Sequence, residues 1–388
     1  WITTTVGKLG KVVTGKTPSK NNPEDWGNEY LFITPSDYGN YNKSANHSIR
    51  GFSEEGYKRH KVRMIPKHSC LVTCIGSDMG KVVMNAEDAF CNQQINALIP
   101  NTSIIDSDYA YYFFKDSALI LKTLGSDGTA VPILNKSDFE KIELSIPPLP
   151  EQKAIASVLS SLDDKIDLLH RQNKTLEAMA ETLFRQWFIE EAKEDWEQAT
   201  LKDEFSFTMG QSPSGSSFNE DSVGTPMFQG NADFGFRFPK ERVYTTEPVR
   251  FAYPLDTLIS VRAPVGAQNM AKVECCIGRG VAAFRHAKNP QWYTYTYYKL
   301  NQLMNQIKQF NDEGTVFGSI SKSDFERLEV VIPPDEAILA YEQTAKPLND
   351  KIIANVEQIQ TLENLRDTLL PKLMSGEVRV QYQTEEVA

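Results

Sequence analysis

"GTAVPILNKSDFEKIELSIPP", residues 128–148, returns as "GTVFGSISKSDFERLEVVIPP" at residues 314–334, in constant register and without a gap. Both copies carry Lys-Ser-Asp-Phe-Glu and end in Pro-Pro, and the offset of 186 residues continues to hold beyond the prolines. Nearer the start of the chain, an offset of 195 residues aligns Trp1 with Trp196. Self-similarity at such a period indicates a repeated structural unit. The sequence is therefore that of a tandem duplication.

Each copy has a globular portion, then Pro-Pro, then a long helical pattern in which apolar or small residues recur at steps of three and four. This is the heptad spacing of a coiled-coil seam. We predict an α+β protein in which two tandem mixed α/β domains, related by a pseudo-two-fold axis, are separated by long helices that form an antiparallel coiled coil. The predicted segments are a globular domain at 1–149, a long helix at 150–195, a second globular domain at 196–335, and a second long helix with a tail at 336–388. Pro347 is expected to kink or restart the second helix.

Two polar positions interrupt the seam and predict the register of the helix pair. Asn173 lies in the first helix and Asn355 in the second. If the copies are related by a two-fold axis and the helices run antiparallel, these residues meet when the axis passes beside residue 171. A buried Asn pair fixes register at a cost in stability. The alternative is that the two side chains are solvated independently.

Residues 10–17, GKVVTGKT, match the phosphate-binding pattern G-x-x-x-x-G-K-[ST]. The second copy does not keep that pattern, because Gln211 stands where the first copy has Lys16. Pro18 also follows the Thr directly and opposes the helix start that a nucleotide site uses. We interpret the match as accidental, and a nucleotide hydrolase acting through Lys16 stays as the less favoured alternative.

Length and composition limit the class of protein. A chain of 388 residues favours two or three domains, and 24% charged residues are ordinary for a globular protein. We find no apolar run of membrane-spanning length and no signal pattern, so we expect a cytoplasmic protein without a membrane partner. The five cysteines show no metal-ligand spacing, which predicts packing roles and no metal or cofactor.

Charge is unevenly distributed along the chain. The helical segment 150–195 has ten acidic against six basic residues, and 336–388 has nine against five, whereas the globular domains are near neutral. Residues 56–77 hold a basic run without a nearby acid and are candidate phosphate contacts, although a solvated surface is an equal alternative. The candidates are Lys58, Arg59, Lys61 and Arg63. A weaker counterpart in the second domain consists of Arg237, Lys240, Arg242 and Arg250.

Residues 146–188, IPPLPEQKAIASVLSSLDDKIDLLHRQNKTLEAMAETLFRQWF, and residues 365–380, LRDTLLPKLMSGEVRV, resemble the two conserved regions of the specificity subunit of type I restriction-modification systems. The resemblance covers the whole chain. It includes GKTPS, CLVTCIGSDMGKV and CNQQINAL in the first copy, and GQSPSG, FQGNADFG, TLISVRAPVG and GRGVAAF in the second.

The resemblance implies a non-catalytic DNA reader with two target recognition domains. Each domain would recognise one half of an interrupted DNA sequence, while the paired helices hold the domains apart. The implied partners are double-stranded DNA, adenine N6-methyltransferase (modification) subunits, and restriction (motor-nuclease) subunits. Because the helices match better between copies than the globular parts, we predict an asymmetric target. The only Pro-Pro motifs, IPPLP and IPPDE, also lack the Asn or Asp and the aromatic residue of a methyltransferase site.

Candidate DNA contacts lie in loops of the matched motifs, where short polar groups and amides can hold phosphate and longer side chains can reach base edges. In the first copy they are Lys16, Thr17, Ser19, Ser77, Lys81, Asn92, Gln93 and Gln94. In the second copy they are Gln211, Ser212, Ser214, Arg262 and Arg279. The alternative for each is a hydrogen bond inside its own loop.

Aromatic runs at 109–114 and 292–300 could stack on bases, but their matched positions favour helices packed in the core. Two further classes remain as alternatives. One is a fused recognition-nuclease fragment. The other is a coiled-coil scaffold that binds proteins without reading DNA.

Overall fold

The computed structural model describes residues 1–39, 43–125, 132–312 and 319–381, without the side chains of 309–312. The first residues of the two repeated stretches, 128–131 and 314–318, lie outside the described residues, as does the end of the predicted tail at 382–388. The chain divides into two compact units. The first contains residues 1–169 together with the chain from residue 358 onward, and the second contains residues 170–357.

The first unit is built on three small sheets. Its strands are β1 Ile2–Thr5, β2 Gly10–Thr14, β3 Trp26–Gly27, β4 Tyr30–Ile33, β5 Ser44–Ala45, β6 Arg50–Phe52, β7 Cys70–Thr73, β8 Val82–Asn85, β9 Ala89–Cys91, β10 Ile95–Pro100 and β11 Glu143–Ile146. Its helices are α1 Val6–Leu9, α2 Glu54–His60, α3 Ser107–Asp116, α4 Ala118–Gly125, α5 Lys136–Glu140 and the first part of α6 Leu149–Arg185. The strand orders are β2-β10-β7-β8-β5, β3-β6-β4-β9 and β1-β11.

The second unit repeats this plan. Its strands are β12 Glu197–Thr200, β13 Phe205–Met209, β14 Phe218–Asn219, β15 Thr225–Phe228, β16 Tyr244–Thr245, β17 Phe251–Ala252, β18 Thr257–Ser260, β19 Gln268–Met270, β20 Cys275–Ile277, β21 Val281–His286 and β22 Glu329–Ile332. Its helices are α7 Leu201–Glu204, α8 Tyr293–Gln302, α9 Met304–Asp312, α10 Lys322–Arg327 and the first part of α11 Asp335–Ser375. The strand orders are β13-β21-β18-β19, β14-β16-β15-β20-β17 and β12-β22.

The repeated Lys-Ser-Asp-Phe-Glu motif forms the same structure in both units. Asn135 caps α5 by accepting the N–H of Asp138 at 3.0 Å, and Ser321 caps α10 in the equivalent way. Such polar caps satisfy donors that a helix start leaves unpaired. The motif Phe of each copy is fully buried, and the strand after it pairs antiparallel with the first strand of its domain. The motif therefore anchors each globular portion just before its long helix begins.

The two long helices run antiparallel, as the heptad spacing predicts. In the first unit Arg366 bonds Asp163 at 2.8 Å, and in the second unit Tyr341 donates to the carbonyl oxygen of Ala180 at 3.0 Å. Along the helix pair, increasing residue numbers on α6 therefore lie opposite decreasing residue numbers on α11. Apolar seam residues such as Ile166 are buried.

The helix α11 continues through Pro347, so the expected restart at this residue is wrong. Proline removes one hydrogen bond, which leaves the carbonyl of Gln343 without its helical donor. Both Pro347 and Gln343 lie on the exposed face, where water can satisfy that carbonyl.

The predicted Asn pair is present inside the second unit. Asn355 donates Nδ2–H to Oδ1 of Asn173 at 2.8 Å, and both side chains are fully buried. We expect Asn173→Leu to destabilise the helix pair by about 1–3 kcal/mol, because Asn355 is left buried without a partner. The double change to Leu at both positions should recover most of that loss. Urea unfolding of the single and double variants measures this, and equal losses in both would contradict the pairing.

The cysteines and the aromatic runs lie in the cores, as the sequence predicts. All five cysteines are free and buried, and burial raises the pKa of the Cys74 thiol to about 12. Tyr109 and Tyr112 in α3 are buried, as are Tyr295 and Tyr298 in α8. No helix among the described residues is long and apolar enough to cross a membrane.

Candidate nucleic-acid interface

The Pro-Ser turn of the first unit, residues 15–19, follows β2 and is held against the turn between β9 and β10. The N–H of Lys16 donates to the carbonyl oxygen of Cys91 at 2.9 Å, and Thr17 Oγ1 donates to Gln93 Oε1 at 2.8 Å. Gly15 is needed for this approach, since a Cβ there would lie 2.1 Å from the carbonyl oxygen of Asn92. The fold therefore brings two of the predicted segments together.

The turn between β9 and β10, residues 92–94, uses two of its three amide side chains internally. Asn92 is nearly buried and exchanges two hydrogen bonds with Gln94, at 2.9 Å from its Nδ2 and 3.1 Å to its Oδ1. Gln93 is exposed. The structure thus gives Asn92 a bond inside its loop and leaves Gln93 as the amide that faces solvent.

The loop after β7, residues 74–81, joins the same region because the N–H of Cys74 donates to the carbonyl oxygen of Gln94 at 2.7 Å. Ser77 is exposed on this loop. Lys81 is exposed too, and it pairs with Asp78 at 2.6 Å. The exposed side chains of this loop are therefore one free hydroxyl and one paired cation.

The second unit repeats the backbone–backbone hydrogen bonds of this convergence. The N–H of Gln211 donates to the carbonyl oxygen of Ile277 at 2.9 Å, as Lys16 does to Cys91. Ser212 Oγ accepts the N–H of Arg279 at 3.3 Å, so the Pro-Ser turn 210–214 again meets the turn 278–280. The loop after β18, residues 261–266, joins through the N–H of Val261, which donates to Gly280 at 2.9 Å.

Two serines of the Pro-Ser turns make bonds within their own turns. Ser19 Oγ accepts the N–H of Asn21 at 3.3 Å, and Ser214 Oγ lies 2.8 Å from Ser216 Oγ. Both serines are exposed, so these bonds leave the hydroxyls accessible from solvent.

A fourth segment at this site was not predicted to contact DNA, although its second copy lies within the FQGNADFG stretch that carries the resemblance. In the first unit Thr34 donates its N–H to Asp37 at 2.7 Å, and in the second Gln229 donates to Asp233 at 2.7 Å. Each segment packs on the central turn, since the residue before it accepts a turn N–H, from Asn92 at 3.2 Å and from Gly278 at 2.8 Å. In the sequence, this segment could have been recognised as a short polar stretch that follows an apolar strand and ends in Asp.

We call these four segments of each unit the four-segment interface. In the first unit it consists of residues 15–19, 34–37, 74–81 and 92–94. In the second unit it consists of residues 210–214, 229–233, 261–266 and 278–280.

The basic run of the first unit is mostly occupied by ion pairs. Arg59 bonds the buried Asp25 at 2.9 Å, and Lys58 pairs with Glu55 at 2.9 Å. Lys61 is exposed and lies over the Tyr57 ring at 5.8 Å. Arg63 differs because it donates to the carbonyl oxygen of Thr14 at 2.8 Å, which places it beside the Pro-Ser turn.

In the second unit Arg237 is not a surface cation. Its side chain is fully buried and pairs with Glu177 at 3.0 Å. It is therefore unavailable to DNA, contrary to its place in the predicted basic counterpart.

Three exposed cations of the four-segment interfaces are in no ion pair among the described residues. They are Lys16, Arg262 and Arg279. Exposed cations beside amides and hydroxyls suit phosphates and base edges. Among the described residues, no group of three or more His, Cys, Asp or Glu could hold a metal ion.

The nucleotide-site alternative does not fit the backbone. Residues 10–14 of the matching pattern form strand β2 rather than a phosphate loop. No helix begins at Lys16 or Thr17, and the next helical turn is a three-residue 3-10 helix at Pro23–Asp25. The geometry of a loop that leads into a helix N-terminus is therefore missing at this site.

Comparison with known proteins identifies the family. The model of the type I restriction modification DNA specificity domain matches residues 1–178 and again residues 193–366. The chain is 27% identical to the type I restriction enzyme MjaIX specificity subunit of Methanocaldococcus jannaschii over 98% of this chain and 94% of that protein. It is 31% identical to the protein designated MjaX specificity subunit of the same archaeon, over 78% of this chain and 76% of that protein.

A solved structure shares the fold. The crystal structure of the type I restriction-modification system S subunit from M. genitalium aligns over 96% of each chain with a TM-score of 0.62 at 19% identity. The duplicated fold and the twofold family match support neither the scaffold nor the hydrolase alternative. The chain belongs to the type I restriction-modification DNA specificity family, and it is a non-catalytic DNA sequence-specificity subunit.

Proposed function

We propose that each unit reads one half of an asymmetric, interrupted DNA sequence through its own four-segment interface. The observation that carries this proposal is the repetition of the same backbone hydrogen bonds around side chains that differ. Gln93 in one copy corresponds to Arg279 in the other, and Ile75 corresponds to Arg262. Because the two units share the same backbone arrangement but carry different side chains, we expect them to recognise two different half-sites.

The long helices would set the spacing between the half-sites. The 41 residues of α11 correspond to about 60 Å at about 1.5 Å per residue. One turn of DNA measures about 34–36 Å, so this length suits half-sites one to two turns apart. The acidic helical segments suit protein partners better than DNA, and we assign to them the adenine N6-methyltransferase and restriction subunits.

The proposal is tested by expressing the chain with its modification subunit in a host free of DNA methylation and sequencing the genome for modified adenine. We expect one interrupted motif with two different halves, which is lost when this chain is omitted. A palindromic motif would contradict the asymmetry. No motif from a complex that methylates DNA would contradict the reading role.

Lys16 is the cation of the first Pro-Ser turn, and we expect it to contact phosphate. Lys16→Ala should weaken binding of the assembled complex to matched and unmatched DNA by the same factor. It should also reduce the slope of log binding constant against log salt by about 1. Lys136→Ala is the control, since this exposed lysine pairs with Glu140 on α5. A loss confined to the matched site would show that Lys16 reads a base.

A further inference from the structure

Two positions of the four-segment interface carry arginine in the second unit and an uncharged residue in the first. The bridge from Ile75 to Ile133 in the first unit repeats as the bridge from Arg262 to Ser319 in the second, which makes Arg262 the counterpart of Ile75. The matching backbone bonds of the turns 92–94 and 278–280 make Arg279 the counterpart of Gln93. Both arginines are exposed.

The second unit also has a groove at this place. Gly280 corresponds to Gln94, the side chain that bonds Asn92 in the first unit. A Cβ on Gly280 would lie 2.1 Å from the carbonyl oxygen of Gln229, so only glycine lets the loops approach. The groove at this place is lined by residues of three of the four segments, among them Gln229, Asn231, Arg262 and Gly280, and also by the apolar side chains of Met227, Val243, Ala263 and Pro264.

Two arginines line the groove, and among the described residues only one of them is in an ion pair. Arg242 bonds the nearly buried Asp233, so its charge is compensated. Arg262 has no ion-pair partner among the described residues, and Arg279 lies in the turn 278–280 next to Gly280, which lines the groove. An uncompensated guanidinium fits the O6 and N7 acceptors of guanine in bidentate fashion, whereas amide side chains fit adenine.

We propose that Arg262 and Arg279 read guanine in the half-site of the second unit, while the first unit reads its half-site through the Gln93 amide without arginine. This inference rests on the proposed function and adds the base chemistry of each half. It assigns guanine specificity to one half of the site and to two named side chains.

The test uses the assembled complex and the interrupted motif found for the unchanged chain. Methylation rates are measured on duplexes in which each base pair of the motif is replaced in turn, for the unchanged chain and for Arg262→Gln and Arg279→Gln. Arg327→Gln is the matched control, because this exposed arginine of the same domain pairs with Asp324 on α10. Gln93→Ala is the reciprocal variant in the first unit.

We expect Arg262→Gln and Arg279→Gln each to lower discrimination at a guanine of the second half by roughly 5- to 150-fold, which corresponds to one lost bidentate contact. Discrimination in the first half should not change, whereas Gln93→Ala should change the first half alone. A second half without guanine on either strand would overturn the inference. So would rates that fall equally on all duplexes, since that pattern marks phosphate contacts.

Failure of this inference differs from failure of the proposed function. If the unchanged chain specifies no interrupted motif, the proposed function is wrong and this inference falls with it. If the motif exists but the arginine variants read it normally, only the guanine assignment is wrong. Because both arginines are exposed, the variants should assemble as the unchanged chain does. Arg279→Lys keeps the positive charge but loses the two parallel N–H donors of the guanidinium. It should relax guanine recognition while keeping the affinity for DNA.

Discussion

Replacing Arg237 by Ala should destabilise the second unit by about 3–5 kcal/mol, because it empties a fully buried site and leaves Glu177, whose side chain is 31% exposed, without its cation. The guanidinium is fully buried, donates to Glu177 Oε1 at 3.0 Å, and lies 4.1 Å from the centre of the Tyr297 ring. Its backbone oxygen also accepts the N–H of Met270 at 2.9 Å. Truncation would leave a cavity between the domain and α6 and would remove the cation that pairs with Glu177.

Hydrogen exchange measures this loss locally, as the opening free energy of α8, which contains Tyr297. Arg327→Ala is the control, because its ion pair with Asp324 is exposed and such pairs contribute about 1 kcal/mol or less. Glu177→Gln should recover part of the loss in the Arg237→Ala background, since it removes the uncompensated charge. An opening free energy that falls by less than that of the control would show that the buried pair does not join the domain to its helix.

Replacing Glu342 by Gln should stabilise the second unit at alkaline pH. Glu342 lies on α11, is 4% exposed, and accepts the N–H of Tyr295 at 2.7 Å. Burial raises the pKa of its carboxyl from 4.5 to about 7. The folded state therefore holds the proton more tightly than the unfolded state does. Gln keeps an oxygen that can accept the Tyr295 N–H and removes the ionisation.

The sign of the effect follows from linkage. Below pH 4.5 the carboxyl is protonated in both states and contributes no penalty. Between pH 4.5 and 7 the unfolded state loses its proton first, so the penalty grows, and above pH 7 it stays constant at about 3 kcal/mol. Thermal unfolding of Glu342→Gln and the unchanged chain from pH 4.5 to 8 should give curves that diverge and then run parallel. Glu336→Gln, an exposed residue of the same helix, should give no divergence. If Glu342→Gln lowered the free energy of unfolding at pH 8, the inference that the buried carboxylate destabilises the folded state would be wrong.

The sequence predicts the helical framework well because its signals are periodic and duplicated. The seam spacing and the pseudo-symmetry together place Asn173 opposite Asn355, and the structure shows a hydrogen bond between them. The Lys-Ser-Asp-Phe-Glu repeat follows a polar cap residue in each copy and contains its own core residue, so it forms the same local structure twice. The effect of Pro347 cannot be predicted from periodicity alone, because it depends on whether the helix face that carries the proline is exposed to water.

The interface is harder to predict from the sequence because contacts between distant loops set it. Nothing in the local pattern shows that the Gln229–Asp233 loop reaches the turn at Gly278. Arg237 and Arg279 are alike in the sequence, yet one is buried against a helix and the other is exposed. A basic residue shows its role only when its partners in the fold are known.

We expect equivalent turns of the two units to contact different halves of one DNA site. Photo-crosslinking tests this expectation most directly, with a benzophenone amino acid placed at position 93 or 279 of the assembled complex and the crosslinked nucleotide mapped on DNA carrying the motif. A probe at exposed position 141, on the C-terminal side of α5, is the control. We predict that position 93 labels one half-site, position 279 labels the other, and position 141 labels neither. Labelling of the same half by both interface probes, or by neither, would contradict this expectation.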